Sequence, residues 1–178
     1  GLSCVMKVLI VCSGNAPNFD FQKHQAFIYD QVEAVKRADV SIEFDYFFIT
    51  DKGLKGYLRS LKELKKRLKA ERYDCIHAHV AASALLANLQ RQVPVVATFH
   101  GSDINDIRLR CLSLWVELLS KKTIYVSKQL LQKAFFYFNY KAQVIPCGVD
   151  FGFFFPRPKE VSKAQMGFAP EKKYILFS

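Results

Sequence analysis

Short apolar runs alternate along this chain with longer stretches whose apolar residues recur every three or four positions. Residues 5–12 (VMKVLIVC), 42–49 (IEFDYFFI), 74–79 (DCIHAH), 93–99 (VPVVATF), 123–126 (TIYV) and 142–145 (AQVI) are four to eight residues long and flanked by turn formers. That is the pattern of strands buried on both faces. Between them, residues 21–37, 52–72, 81–89, 104–121 and 128–138 carry helical spacing. In the first of these, Phe27, Ile28, Val32 and Val35 share a side with His24 one turn earlier. Strands and helices in alternation predict right-handed βαβ units on a parallel sheet. The expected fold class is α/β, a Rossmann-like parallel sheet with helices on both faces.

The run 93–99 leads directly into His100-Gly101-Ser102-Asp103. In open α/β sheets ligands collect just beyond the carboxyl ends of the strands, and His100 is expected at that position. The alternation stops at Pro146-Cys147-Gly148. Residues 1–150 are therefore expected to form the α/β domain. Residues 151–178 are expected to be a linker (FGFFFPRP), a short polar helix reaching Met166-Gly167, and a new strand over 173–177 that opens a further domain.

With 178 residues and 51% hydrophobic side chains, the chain can bury one substantial core, and disorder is excluded as its main state. No stretch approaches the roughly 20 apolar residues that cross a bilayer. The apolar amino end has no basic leader and is expected to be a first strand. Five scattered cysteines, Cys4, Cys12, Cys75, Cys111 and Cys147, fit packed, reduced thiols of a cytoplasmic protein better than a disulfide framework or a zinc site.

Charge changes the picture at one place. The formal net charge is +10, and between Lys52 and Arg72 nine Lys or Arg stand against two Glu, a local excess of +7. On a helical wheel Leu54, Leu58, Leu61, Leu64 and Leu68 form an apolar stripe, with Lys55, Arg59, Lys62, Lys66 and Lys69 on an adjoining face. Such a face is either solvated or a contact for anionic headgroups or a phosphorylated acceptor. Nucleic acid is not expected as a partner, because no basic groove interleaved with aromatics and no binding motif is present.

Each candidate residue has a plainer reading beside its chemical one. His100, a ring that titrates near neutrality at a strand end, can donate to a phosphate or a sugar hydroxyl, or can simply bond a loop carbonyl. Ser102 or Asp103 is placed to cap a helix starting near residue 104, with Asp106 favourably near its amino end. Gly14 lies in the first strand-to-helix turn, where amides can hold a phosphate, but the three-glycine dinucleotide fingerprint is missing and an ordinary turn is the default. His77 and His79 fall on one face of a strand, yet no cysteine or carboxylate nearby has ligand spacing, so packing is preferred over metal.

Taken in order, MKVLIV (6–11), DCIHAH (74–79), PVVATFHGSD (94–103), YVS (125–127) and VIPCGVD (144–150) resemble the amino-terminal domain of GT-B glycosyltransferases of the glycosyl transferase family 4 type. The resemblance covers nearly the whole chain. It implies an enzyme of two Rossmann-like domains across a cleft, this one on the acceptor side, with the nucleotide-sugar held mainly by the second. It also implies a crossover at Pro146-Cys147-Gly148, Cys147 replacing a common asparagine. His100 matches the family histidine near the transferred sugar, and Gly14, Asn15, Gly101, Ser102, Asp103 and Ser127 match positions lining the donor and acceptor cleft. The usual paired glycines of the first loop are reduced here to Ser13-Gly14-Asn15.

The resemblance further implies no metal and no cofactor beyond a nucleoside diphosphate sugar as donor substrate, with a glycan or lipid-linked acceptor in polysaccharide biosynthesis. A retaining outcome and an inactive fragment are the matching expectations. Docking through the basic helix on the cytoplasmic, inner face of an anionic membrane also follows from it. The alternatives are a non-catalytic α/β domain that binds a phosphorylated small molecule, and part of a GT-B sugar-nucleotide epimerase, which needs further carboxylates as acid and base.

Overall fold

The computed structural model describes residues 5–152 and 154–175, and of Asp103 the main chain alone. Contacts divide the chain into two units, Gly1–Cys147 and Gly148–Ser178. In the first, β1 (Met6–Ser13), β2 (Ile42–Ile49), β3 (Cys75–His79), β4 (Val95–Phe99), β5 (Lys122–Tyr125) and β6 (Ala142–Val144) form one sheet, all pairs parallel, in the order β2-β1-β3-β4-β5-β6. The order reverses direction at β1, so the crevice between the ends of β1 and β3 is the topological switch point where such sheets bind ligands.

β1 is hydrogen-bonded on both edges, and Leu9, Ile10 and Val11 are wholly buried because both faces are covered. On one face Leu9, Val11, Ile76, Ala78, Val95, Ala97 and Phe99 pack with Leu64 of α3 (Gly53–Ala70), Ala81 and Ala84 of α4 (Ala81–Asn88), Val116 of α6 (Ile107–Leu119) and Leu130 of α7 (Lys128–Lys133). On the other, Val8, Ile10 and Cys12 pack with Ile28 and Val32 of α2 (Ala26–Ala38). Placing α2 opposite α3, α4, α6 and α7 follows from the reversal at β1, given right-handed crossovers. The α/β parallel sheet with helices on both faces is thus the observed fold.

Several boundaries move for local reasons. The helix expected over 21–37 breaks at Gln25, giving α1 (Phe21–His24) before α2, because Gln25 leaves helical geometry and donates through Nε2 to the Ser13 carbonyl at 3.0 Å. The helix expected from residue 104 is likewise two, a single turn α5 (Ser102–Asn105) and then α6. The cap of α6 is Asp106, which accepts from the Arg108 amide at 2.8 Å, and α5 starts straight after Gly101, so Ser102 lies inside α5 and does not cap α6. α7 ends at Lys133, five residues short of the expected end, where Ala134 turns extended.

Two polar clusters tie helices to the sheet. Lys7 of β1 lies 3.2 Å from Asp45 and 3.1 Å from Glu71, and Arg67 of α3 donates to the Tyr73 hydroxyl at 2.9 Å. Buried Glu117 of α6 accepts from the Phe138 amide at 2.9 Å and from the Tyr125 hydroxyl at 3.3 Å.

The cysteines are less uniform than expected. Cys12 is buried and Cys75 half-buried, but Cys111 on the outer side of α6 and Cys147 in the loop after β6 are exposed, so neither is a packed thiol. Cys4 lies outside the described residues. All four described cysteines are free.

The second unit contains α8 (Lys159–Gln165), with Lys163 donating to the carbonyls of Pro170 and Lys172, and Phe168 stacked on Tyr174 at 4.2 Å. The strand expected over 173–177 is not formed at 173–175: a strand needs a ladder partner, and no strand is described among residues 154–175. Residues 176 and 177 lie outside the described residues.

Candidate functional site

The carboxyl edge of the sheet gathers the chemistry. Alternation on β3 turns His77 and His79 to one side, and alternation on β4 turns Thr98 and the following His100 to that same side, because His79 pairs with Thr98 in register. His77 Nε2 lies 2.7 Å from Thr98 Oγ1, and His79 Nδ1 lies 3.0 Å from His100 Nε2. The rings follow one another, His77 to His79 at 4.2 Å between centroids and His79 to His100 at 5.3 Å, nearly parallel. Phe27 of α2 closes the row, its ring edge-on to His100 at 4.5 Å.

Burial removes the stabilising water from any charged form of these rings. It lowers the pKa of His100 to about 4. His77 is lowered to about 4 by burial and by the neighbouring His100. His79 is pushed well below 6.5 by burial and by both neighbours. At neutral pH the row is uncharged, so His100 offers hydrogen bonds to a ligand without the cost of burying a cation.

Backbone strain borders the same place. Val80, directly after His79, has φ +72°, a conformation that a β-branched residue adopts only at a cost of about 1–3 kcal/mol. Gly101, directly after His100, has φ +118°, which suits glycine alone.

The other expected positions are distributed along this edge. Gly14 follows β1, two strand spacings, or roughly 10 Å, from β4. Packing alone demands a glycine there: a Cβ would stand 2.7 Å from the Cβ of Phe48. Its amide donates to the Ile49 carbonyl at 2.9 Å. Asn15 is exposed and accepts from the Ser13 hydroxyl at 3.0 Å. Ser127, past the end of β5, caps α7 by accepting from the Leu130 amide at 3.1 Å. Ser102 is exposed in α5, and the Asp103 side chain lies outside the described residues.

Sequence reasoning missed two members of the site. The pattern marks His79 only as the partner of His77 in a disfavoured metal pair, and Phe27 as one apolar helix position. The signal for His79 was its parity with His77, but the register that sets it against Thr98 and beside His100 is a tertiary fact. Among the described residues no group of three or more His, Cys, Asp or Glu is placed to hold a metal.

Lys55, Arg59, Lys62, Lys66 and Lys69 are all exposed on α3, which starts just after the carboxyl end of β2. A cavity of about 520 Å³ opens at the opposite edge of the sheet near Arg91 and Pro94. Two lysines lining it are spent on main-chain carbonyls, Lys122 on Tyr140 and Lys141 on Glu117 and Leu118.

Comparison with known proteins agrees with this architecture. Over 113 residues the chain is 30% identical to the UDP-Gal:alpha-D-GlcNAc-diphosphoundecaprenol alpha-1,3-galactosyltransferase of Escherichia coli, covering 56% of this chain and 29% of that protein. Sucrose-phosphate synthase from Thermosynechococcus elongatus superposes with a TM-score of 0.66 at 15% identity, over 93% of this chain and 53% of its own. UDP-N-acetylglucosamine 2-epimerase from Rickettsia bellii gives 0.53 at 12% identity, over 78% and 44%. At those identities the two structures show the fold alone, and the chain spans about half their length or less. The family model that separates these possibilities is that of Glycosyltransferase Family 4, matched by residues 6–153, which take in the whole sheet and the His100 edge. The chain belongs to Glycosyltransferase Family 4 and has the architecture of a GT-B amino-terminal domain.

Proposed function

We propose that the full-length protein transfers a sugar from a nucleoside diphosphate sugar to a glycan or lipid-linked acceptor, with retention at the anomeric carbon. The observation that carries this reading is His100, a neutral ring held by His79 and Phe27 at the carboxyl edge of the sheet, where a ligand meets an open α/β domain. A donor of the UDP-sugar type and a diphospholipid-linked acceptor are favoured by the name of the Escherichia coli relative. Such a transfer passes through an oxocarbenium-like state with a departing diphosphate, so the site's work is electrostatic. His100 supplies a hydrogen bond to the sugar or its phosphate, and the loops carrying Gly14, Asn15, Gly101, Ser102, Asp103 and Ser127 complete the wall on this side. The second unit is the start of a donor-binding domain, and the 178-residue chain is inactive alone. No metal takes part.

The basic face of α3 is proposed to rest on an anionic membrane, with the protein peripheral on the cytoplasmic side. Leu54 and Leu58 of the apolar stripe are 78% and 59% exposed and border Lys55, Arg59 and Lys62, so apolar and cationic groups are presented together. Among the described residues no helix is long and apolar enough to cross a membrane.

His100→Ala in the full-length enzyme tests the central claim. Transfer from UDP-galactose and other UDP-hexoses to a diphospholipid-linked sugar should fall by about 10²–10³ in kcat while the melting temperature stays within a few degrees. Near-normal turnover would sink the assignment.

A further inference from the structure

His79 is wholly buried, yet among the described residues one of its two ring nitrogens has no partner. Nδ1 lies 3.0 Å from His100 Nε2, whereas Nε2 meets no donor or acceptor among the described residues. On this face β1 presents apolar side chains only, Val8, Ile10 and Cys12, and an apolar side chain at position 79 would leave no orphaned polar atom. What the imidazole contributes and a leucine cannot is the bond to His100. The strained Val80 beside it adds a second cost at the same place, and costs of this kind persist where geometry serves a site.

The orphan also decides which way the bond runs. A neutral imidazole carries a single N–H. If His100 donated from Nε2, the proton of His79 would sit on its own Nε2 as a buried N–H with no acceptor, which folded proteins almost never tolerate. A bare buried acceptor nitrogen is the lesser cost. His79 therefore keeps its proton on Nδ1 and donates to His100 Nε2, and the proton of His100 is then on Nδ1. His77, tied to Thr98 and packed at 4.2 Å, supports the His79 ring from behind.

We propose that His79 is a positioning residue: its Nδ1–H···Nε2 bond fixes the tautomer and ring plane of His100, so that the ring meets the sugar or phosphate with its proton on Nδ1. The inference rests on His100 being the working group of the proposed transfer. It names an indispensable partner that itself touches no ligand.

Three variants of the full-length enzyme separate positioning from packing. In His79→Asn the side-chain amide stands where Nδ1 stood and preserves a donor to His100. In His79→Gln the amide reaches instead toward the orphaned Nε2 position, and His79→Leu keeps the volume without either. The Asn variant should retain kcat within about threefold, whereas Gln and Leu should lose about 10–100-fold in kcat with KM nearly unchanged, as for other partners that set a histidine's tautomer. Leu should melt at or above the wild-type temperature because the orphan is gone. A folded Leu variant that turns over like wild type overturns the proposal. Two-bond ¹H–¹⁵N correlation of the imidazoles at pH 7 gives a readout that needs no turnover. Wild type should show His100 protonated on Nδ1, and the Leu variant a mixture of tautomers. A proton on Nε2 in wild type, or an unchanged tautomer in the Leu variant, overturns the role of His79. Wild-type enzyme that transfers no sugar overturns the transfer reading instead, and the spectrum then decides His79 by itself.

Discussion

Three neighbouring imidazoles make the stability of this domain depend on pH in a defined window. In the unfolded chain each titrates near 6.5, while burial lowers His77 and His100 to about 4 and takes His79 well below 6.5. Between those values the unfolded state binds more protons than the folded one, so stability is fully present above about pH 6.5 and is lost as the pH falls toward 4. Carboxylates act lower: hydrogen bonds from Ser41 hold Asp39 below 3.8, and those from Tyr73 and Lys7 hold Glu71 below 4.5. The melting temperature should therefore decline from pH 7 to pH 5, with a shallower decline in His79→Leu; equal melting at both pH values would refute the buried neutral row. At this scale the sequence exposed His100 through its place at a strand end. It concealed His79, because parity along one strand does not say which residue of the next strand stands opposite.

Helix α3 shows how an element's sequence pattern divides between packing and surface. Five leucines read as one apolar stripe, but the residues buried are Gly56, Ser60 and Leu64, with Leu61 and Leu68 packed beside them. Gly56 is buried because a Cβ there would meet Asp51 at 2.6 Å, so the first turns approach the preceding loop by their small side and turn Leu54 and Leu58 outward. Arg67, outside the basic face, bonds Tyr73 and Asp45. Among the described residues Lys55, Lys62, Lys66 and Lys69 carry no ion pair, while Arg59 meets Asp51 at 3.3 Å. Two variants should separate the faces. Leu64→Ala should cost about 2–5 kcal/mol in denaturant unfolding, and Leu54→Ser with Leu58→Ser less than about 0.5 kcal/mol per site. The same double variant, or Lys62→Glu with Lys66→Glu, should lose flotation with vesicles of anionic lipid. Equal flotation with neutral vesicles would remove the electrostatic part of the membrane proposal.

For the molecule as a whole, the proposed transfer needs a second wall facing the carboxyl edge of the sheet. The sheet offers a wall at its carboxyl edge, and relatives of this fold are about twice as long as this chain. The 178-residue chain should unfold cooperatively in its α/β unit, which has its own core, yet release no sugar or UDP from UDP-galactose under conditions where the full-length enzyme does. Turnover by the short chain at the full-length rate would contradict the two-domain reading. The beginning of the second unit also shows the limit of pattern reading: an apolar run at 173–177 looks like a strand, and no ladder forms at 173–175.

The sequence by itself determined the alternation of strands and helices, the parallel α/β class and the place of His100 at a strand end, because periodicity, strand length and turn chemistry are local and each is written in a few adjacent residues; the family resemblance rests on short motifs taken in order. Tertiary structure alone decided which residues face one another. Strand order set β3 beside β4, register set His79 against Thr98, and the opposite-face placement of α2 brought Phe27 onto His100. Those choices depend on long-range burial on the two faces of the sheet. No short window of sequence contains that information, so the row of histidines was invisible until the sheet was assembled.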